Sequence, residues 1–256
     1  MSDLVFFSNT HKPRAEAIRA RLEQAAAGLA LKERLVIALG GDGTLLRAVH
    51  EFPDLPVLGF NLGGLGYLSA VGERDFDAAL AALAEGRYTI SERSLLEVNG
   101  RTALNDVVFS RELSGHSALL ELKADGREVT TYMADGLIFA TPTGSTAYSL
   151  AAGGPVVMPD SHAIVVTPVN PHALAVRPLV VRDEVVFSVT ARSRSEGNEV
   201  KLGVYADGEA VMTLEAGAAV TVKRSARTAK FVELEGYDPY GVLARKLGWS
   251  GTNVKR

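Results

Sequence analysis

Leu35-Val36-Ile37-Ala38-Leu39-Gly40-Gly41-Asp42-Gly43-Thr44 runs from an unbroken apolar stretch into a cluster of glycines around one carboxylate. A short apolar run bounded by glycine suits a strand buried on both faces, as in the middle of a parallel sheet. The pattern beyond the glycines predicts a helix from about Thr44, and Val57 to Phe60 predicts the next strand. Upstream, Leu4 to Phe7 is a short apolar strand. Pro13 suits the first turn of a helix in which Ile18, Leu22 and Ala26 recur every fourth residue, with Gly28 as its stop. Downstream, Phe76, Leu80 and Leu83 line one face of a helix that ends at Gly86. Strands and helices in alternation imply a layered α/β domain.

From about Tyr88 the texture changes. Leu95 to Val98 and Ala103 to Phe109 flank Asn99-Gly100, a strong hairpin signal, and Asp125-Gly126 and Asp207-Gly208 sit between similar runs. Helical periodicity is scarce from there to about Glu235, which predicts a second domain dominated by antiparallel strands. Asp238-Pro239 then reads as an N-cap followed by proline at the first helical position. The short helix it opens carries Tyr240, Leu243 and Leu247, ends at Gly248, and is too short to stand alone. The expected division is an α/β domain of residues 1–87 plus 238–256 and a β-rich domain of residues 88–237.

Composition narrows the chemistry. A net charge of -3 supplies no general field for nucleic acid or an anionic membrane. With no cysteine, disulfides, thiolate zinc sites and a cysteine nucleophile are excluded. The histidines are scattered without metal-ligand spacing, so any metal is expected to be a hard ion brought in with a phosphate. The N-terminus lacks the charge-then-apolar pattern of a signal peptide, and no apolar run approaches a membrane span, which places the chain in the cytoplasm as an expectation.

Two loops can carry chemistry. Glycines between a strand and a helix let backbone N–H groups approach phosphate oxygens, and the helix N-terminus favours anions. Asp42 repels an anion, which makes sense if it accepts a proton from an attacking hydroxyl or helps hold a phosphate-bound magnesium. The same residues read equally as a tight β–α turn with Asp42 as its cap. No Gly-Lys-Ser/Thr closes the loop, so it is not a Walker A loop. The second candidate runs from Asp135 through Thr141-Pro142-Thr143-Gly144-Ser145-Thr146-Ala147-Tyr148-Ser149 into Leu150-Ala151. Its hydroxyls suit a ribose, an amide or a phosphate edge, or else cap the loop locally. Asn105-Asp106 heads the strand Val107 to Phe109, His116 can meet a phosphate, and Arg47 lies one turn into the helix after the glycine loop.

At these residues the chain resembles the NAD kinase family. Gly40 to Gly43 is similar to its Gly-Gly-Asp-Gly loop, and Asn105-Asp106 to its Asn-Asp/Glu pair. Asp135 to Ser149 is similar to its long Asp-Gly and Thr-Pro-Thr-Gly-Ser-Thr-Ala-Tyr-Ser segment. Asn61-Leu62-Gly63-Gly64-Leu65-Gly66-Tyr67-Leu68, Thr167 to His172 with Arg177-Pro178, and Lys246 to Trp249 resemble further blocks. The glycine loop alone is shared with diacylglycerol and sphingosine kinases and phosphofructokinases; the Thr-Pro-Thr block singles out NAD kinases.

The resemblance implies a Rossmann-like α/β N-terminal domain, a β-rich C-terminal domain, and a C-terminal helix returning to the first. It implies phosphoryl transfer from ATP to the adenosine-ribose 2′-hydroxyl of NAD, with Asp42 as general base. Gly43 would approach phosphate, and Arg47 would help bind the dinucleotide. Asn105, Asp106 and His116 would contact NAD. Asp135 with Thr146, Ala147, Tyr148, Ser149, Leu150 and Ala151 would complete its pocket. It also implies magnesium or manganese with ATP, and a homodimer or homotetramer. Met133 stands where some relatives carry arginine, and Glu209 where relatives often have glutamine, so those contacts differ here. A lipid or small-molecule kinase of the wider glycine-loop group and an NAD-sensing module without turnover are the alternatives.

Overall fold

The computed structural model describes residues 3–8, 13–29, 31–63, 66–68, 71–111, 118–193 and 201–249. The first elements are β1 (Leu4–Ser8), α1 (Pro13–Ala25), β2 (Leu35–Leu39), α2 (Asp42–Glu51), β3 (Val57–Asn61), β4 (Val71–Gly72) and α3 (Phe76–Ala84). Next come β5 (Tyr88–Val98), β6 (Arg101–Ala103), β7 (Asp106–Arg111), β8 (Ala118–Ala124), β9 (Arg127–Ala134) and β10 (Gly136–Ala140). After a 3-10 turn follow α4 (Tyr148–Ala151), β11 (Ala163–Val169), β12 (Leu179–Arg182) and β13 (Phe187–Arg192). The described chain closes with β14 (Lys201–Ala206), β15 (Glu209–Glu215), β16 (Ala219–Leu234) and α5 (Pro239–Lys246).

These elements form two compact units, Met1–Glu92 with Ala229–Arg256 and Arg93–Thr228. The breaks lie at 92/93 and 228/229, inside β5 and β16, where the sequence suggested 87/88 and 237/238. A strand keeps its period through such a break, so no turn residue marks it.

In the first unit, β1, β2 and β3 are parallel, with Leu4 opposite Leu35 and Val36 opposite Val57. The distal end of β16 joins β3 in parallel, Phe231 opposite Val57. β2 and β3 are buried along their whole length, as the apolar run at 35–39 required. Leu35, Ile37 and Leu39 meet Leu22 of α1, Ala26 just beyond it, and Phe76, Leu80 and Leu83 of α3 in one core. Phe60 and Phe76 stack there at 4.5 Å. α2 packs on β2 and β3, burying Thr44, Leu45, Ala48 and Val49. Spacings of one, three and four put those four residues on one face, and each fully buried Leu or Val contributes about 1.5–3 kcal/mol.

α5 belongs to this unit and begins at Pro239 after Asp238, as expected. Its buried face is Val242 and Leu243, whereas Tyr240 is 67% exposed and Leu247 only half-buried. Of the three apolar residues the sequence singled out there, Leu243 is the one that is buried.

The second unit has two antiparallel sheets. One has the order β12-β11-β10-β7-β14-β15; in the other, β16 pairs β13, β13 pairs β8, and β8 pairs β9. Phe109, Leu137, Phe139 and Val204 of the first share a core with Leu120, Leu122, Phe187, Val189 and Val222 of the second. Alternate residues Ile138 and Ala140 enter a separate small core with Val108 and Val165, flanked by Ala152 and Val157. β10 is thus covered on both faces, and the segment after it folds over one of them. The three Asx-Gly pairs are hairpin turns with both residues left-handed: Asn99-Gly100 (φ 46° and 74°), Asp125-Gly126 (50° and 77°) and Asp207-Gly208 (49° and 81°). The run Ala103 to Phe109 divides at Leu104-Asn105 into β6 and β7, with Asp106 at the head of the strand through Val107 to Phe109 as expected.

Candidate functional site

In the first unit the glycine loop joins β2 to α2. Gly40 N–H donates to the Phe60 carbonyl at 2.9 Å, holding the loop against β3. A Cβ on Gly40 would run into the Thr44 side chain, 2.7 Å from its Cβ, so packing demands glycine there. Gly41 and Gly43 differ. A Cβ on either would meet nothing within 4 Å, and neither has a positive φ. Neither packing nor backbone strain requires glycine at the positions either side of Asp42.

Asp42 is the first residue of α2, with Gly41 as N-cap. Its carboxylate accepts the Tyr67 N–H at 2.7 Å and the Leu68 N–H at 3.1 Å, one on each oxygen. These amides orient the carboxylate plane. The Tyr67 phenol titrates above its ordinary 10.0, first through burial and then through the Asp42 charge. The Lys246 ammonium of α5 lies 5.6 Å from the centre of the Tyr67 ring, within cation–π range. Asn61, 3% exposed, accepts the Gly63 N–H at 2.8 Å and turns the chain at the start of this segment. Gly64 and Leu65 of the same motif lie outside the described residues. Arg47 is on the exposed face of α2.

In the second unit the hydroxyl-rich loop and Asn105-Asp106 form one structure. Thr141 N–H donates to the Asn105 carbonyl at 2.9 Å, and the Thr141 hydroxyl to the Leu104 carbonyl at 2.5 Å. Gly144 lies flat on Asn105, where a Cβ would come 2.5 Å from the Asn105 Cα. The Ser145 hydroxyl donates to the Pro142 and Val157 carbonyls and accepts the Val157 N–H. The Ser149 hydroxyl is buried against the Thr167 hydroxyl at 2.8 Å. Thr146 donates to the Thr143 carbonyl at 3.2 Å. Most of these hydroxyls therefore build the loop. Tyr148 and Ala151 are exposed beside it, with Thr146, Ala147 and Leu150 half-buried.

Asp106 is 6% exposed and opposite Ala140 across the sheet. Burial, and then the Asp207 carboxylate, push its titration up to about 7. Asp207, which the sequence offered only as a turn residue, accepts the N–H groups of Leu104 (2.7 Å), Asn105 (2.7 Å) and Asp106 (3.1 Å). That accounts for the break before β7: these amides face a carboxylate 101–103 residues away in sequence instead of a neighbouring strand. An Asp-Gly pair signals a turn locally, and nothing near it reveals the distant amides.

Asp135 stands apart. It precedes β10, whose far end carries Ala140 beside Asp106, a separation of roughly 16 Å at 3.3 Å per residue. There its carboxylate pairs with Arg111 Nε at 2.8 Å and accepts the Asn170 amide at 3.1 Å. Met133 is half-buried, and its carbonyl accepts the His172 N–H; Glu209 is exposed at the start of β15. His116 lies outside the described residues. Among the described residues no group of three or more His, Cys, Asp or Glu side chains is placed to hold a metal, and no helix is long and apolar enough to cross a membrane.

The ATP-NAD kinase N-terminal domain family matches residues 8–88, and the ATP-NAD kinase C-terminal domain family matches residues 104–234. The chain belongs to the NAD kinase family. It is 38% identical over 226 residues to the NAD kinase of Syntrophotalea carbinolica, covering 84% of this chain and 78% of that one. It is 42% identical over 229 residues to the NAD kinase of Symbiobacterium thermophilum, covering 85% and 79%. In fold it is similar to a yeast NADH kinase complexed with NADH (TM-score 0.86, 24% identity, 99% of this chain and 89% of that one). It is also similar in fold to an NAD kinase from Archaeoglobus fulgidus in complex with ATP (TM-score 0.80, 24% identity, 97% and 99%). As a family member the chain is a kinase, which removes the non-enzyme alternative.

Proposed function

We propose that the chain transfers the γ-phosphoryl group of ATP to the 2′-hydroxyl of the adenosine ribose of NAD, giving NADP and ADP. The observation that carries this reading beyond family membership is the pair Gly41 and Gly43. They flank Asp42 with open space on their Cβ sides, so the loop keeps bare backbone where nothing in the fold asks for it. Bare backbone at a helix N-terminus suits phosphate oxygens, and a carboxylate between the glycines suits a proton acceptor.

Asp42 takes the 2′-hydroxyl proton as that oxygen attacks the γ-phosphorus and the bond to the leaving ADP oxygen breaks. The Tyr67 and Leu68 amides hold the carboxylate in a fixed plane, so little reorientation is needed at that moment. General-base assistance of this kind contributes on the order of 10²–10⁴-fold. Gly43 approaches phosphate, and Arg47 helps bind the dinucleotide. Asn105 and Asp106, with His116, Asp135 and the run Thr146 to Ala151, hold the dinucleotide. Magnesium or manganese arrives on the ATP phosphates as part of the substrate, since hard cations prefer such oxygens. The protein works in the cytoplasm as a homodimer or homotetramer.

The test is product identity. Purified protein given NAD, ATP and magnesium should form a dinucleotide whose new phosphorus resonance couples to the 2′ proton of the adenosine ribose. Phosphate on any other hydroxyl, or release of free phosphate alone, would overturn the assignment.

A further inference from the structure

The break before β7 is an anion-binding corner built inside the protein. Continued straight, Ala103 to Phe109 would point its amides at neighbouring strands. Instead Leu104, Asn105 and Asp106 turn consecutive N–H groups onto the Asp207 carboxylate. Successive amides converging on one anion form charge-assisted bonds stronger than neutral ones. The link is reciprocal, because Asp207 N–H donates to the Asp106 carbonyl at 3.0 Å. Asp207 reaches this place from a left-handed turn position (φ 49°) followed by Gly208.

The same geometry brings the Asp207 carboxylate within 3.1 Å of the Asp106 backbone nitrogen. Asp106 is buried, and among the described residues no cation acts on its carboxyl group. β10 presents Ala140 opposite it and then Thr141, whose hydroxyl is committed to Leu104, and β14 presents Ala206 opposite Val107. Asp207 is the charged group that acts on it. Two carboxylates sharing a site resist ionising together.

Resting on the reading that Asn105 and Asp106 hold NAD, we propose that Asp207 is a positioning residue that anchors this pair through its backbone and places a negative charge beside Asp106. The hold on NAD then depends on pH. An ionised Asp106 accepts hydrogen bonds from ribose hydroxyls, whereas the neutral form gives up an acceptor site to its own proton. The KM for NAD should fall as pH rises through about 7, where Asp106 titrates, while the KM for ATP stays level.

The experiment compares wild type with Asp207→Asn and Asp106→Asn. Asparagine tolerates the left-handed conformation and keeps an Asx-Gly turn, so the hairpin is retained. Asp207→Asn removes the charge and sets an amide donor against amide donors. The expected result is a KM for NAD raised about tenfold at pH 8, the equivalent of one lost hydrogen bond. Its pH midpoint should move to lower pH, and Asp106→Asn should abolish the midpoint. A carboxyl-carbon NMR titration of Asp106 in wild type and Asp207→Asn reads the pair without turnover. A purely structural Asp207 would leave that midpoint where it was. An unmoved Asp106 titration in folded Asp207→Asn overturns the proposal whatever the activity. Wild type that forms no NADP overturns the functional reading instead, and the Asp106 titration still decides the role of Asp207.

Discussion

Two glycine-to-alanine substitutions, Gly43→Ala and Gly144→Ala, should have opposite signs on stability and act on different steps. At Gly43 the added methyl meets nothing within 4 Å, and the residue sits in the first turn of α2 without a positive φ. Alanine there loses less chain entropy on folding, so stability should rise by up to about 1 kcal/mol. The same methyl projects where phosphate oxygens are proposed to approach, and a displacement of the order of 1 Å at a reacting centre costs about 10²-fold in rate. At Gly144 the methyl would lie 2.5 Å from the Asn105 Cα, against ordinary contact beyond 3.4 Å. The Asn105 carbonyl stands closer still, so either the loop or the chain before β7 must shift by more than about an ångström, which for overpacked sites costs at least about 1–3 kcal/mol. That shift strains the Thr141–Asn105 bond of 2.9 Å and the Asn105–Asp207 bond of 2.7 Å, so the KM for NAD should rise with less change in kcat. Chemical denaturation, with kinetics in NAD and ATP separately, reads both outcomes. If Gly43→Ala turned over at the wild-type rate, the glycine loop would not meet substrate. If Gly144→Ala were as stable as wild type, the packing of the hydroxyl-rich loop on Asn105 would be wrong.

Three further outcomes follow from the same geometry. Asp106 is raised from 3.8 to about 7, so the folded protein binds an extra proton between those values; this stabilisation is full below pH 3.8 and is lost as pH rises through about 7. Asp106→Asn should therefore gain on wild type with rising pH, reaching at most about 4 kcal/mol above that window, and a flat difference in denaturation midpoints between pH 5 and 8 would contradict the burial argument. Phe139 is fully buried, 5.7 Å from Phe109 and 5.1 Å from Phe187, so Phe139→Ala should cost about 3–5 kcal/mol in thermal unfolding. Asp135→Asn breaks a partly exposed pair with Arg111 and should change stability by no more than about 1 kcal/mol, measured by denaturation; a larger loss would make Asp135 a structural residue first.

The parts of this protein legible in sequence are those whose causes are local. Leu35 to Leu39 is apolar at every position because both of its faces are covered, and Gly28, Gly86 and Gly248 end helices with positive φ. Each Asx-Gly pair turns a hairpin because those residues tolerate left-handed backbone. Causes that act across a hundred residues left no local trace. Asn105-Asp106 read as the head of the strand Val107 to Phe109, but nothing nearby shows that the interruption at Leu104-Asn105 depends on Asp207. The hydroxyls of Thr141, Ser145 and Ser149 look like ligand donors in a list of residues, yet they bond to Leu104, Pro142 and Thr167. Asp135 and Asp106 belong to one motif set in sequence, and β10 holds them at opposite ends. The carboxylate of Asp42 was readable as a candidate base, whereas the amides that orient it come from Tyr67 and Leu68, beyond β3.

If Asp42 removes the ribose proton, NADP formation by Asp42→Asn is where its loss must be felt. This variant should bind NAD as wild type does, yet form NADP on the order of 10²–10⁴-fold more slowly with saturating NAD, ATP and magnesium. Turnover within a few-fold of wild type would contradict it, and would leave Asp42 as the residue that ties the glycine loop to Tyr67 and Leu68.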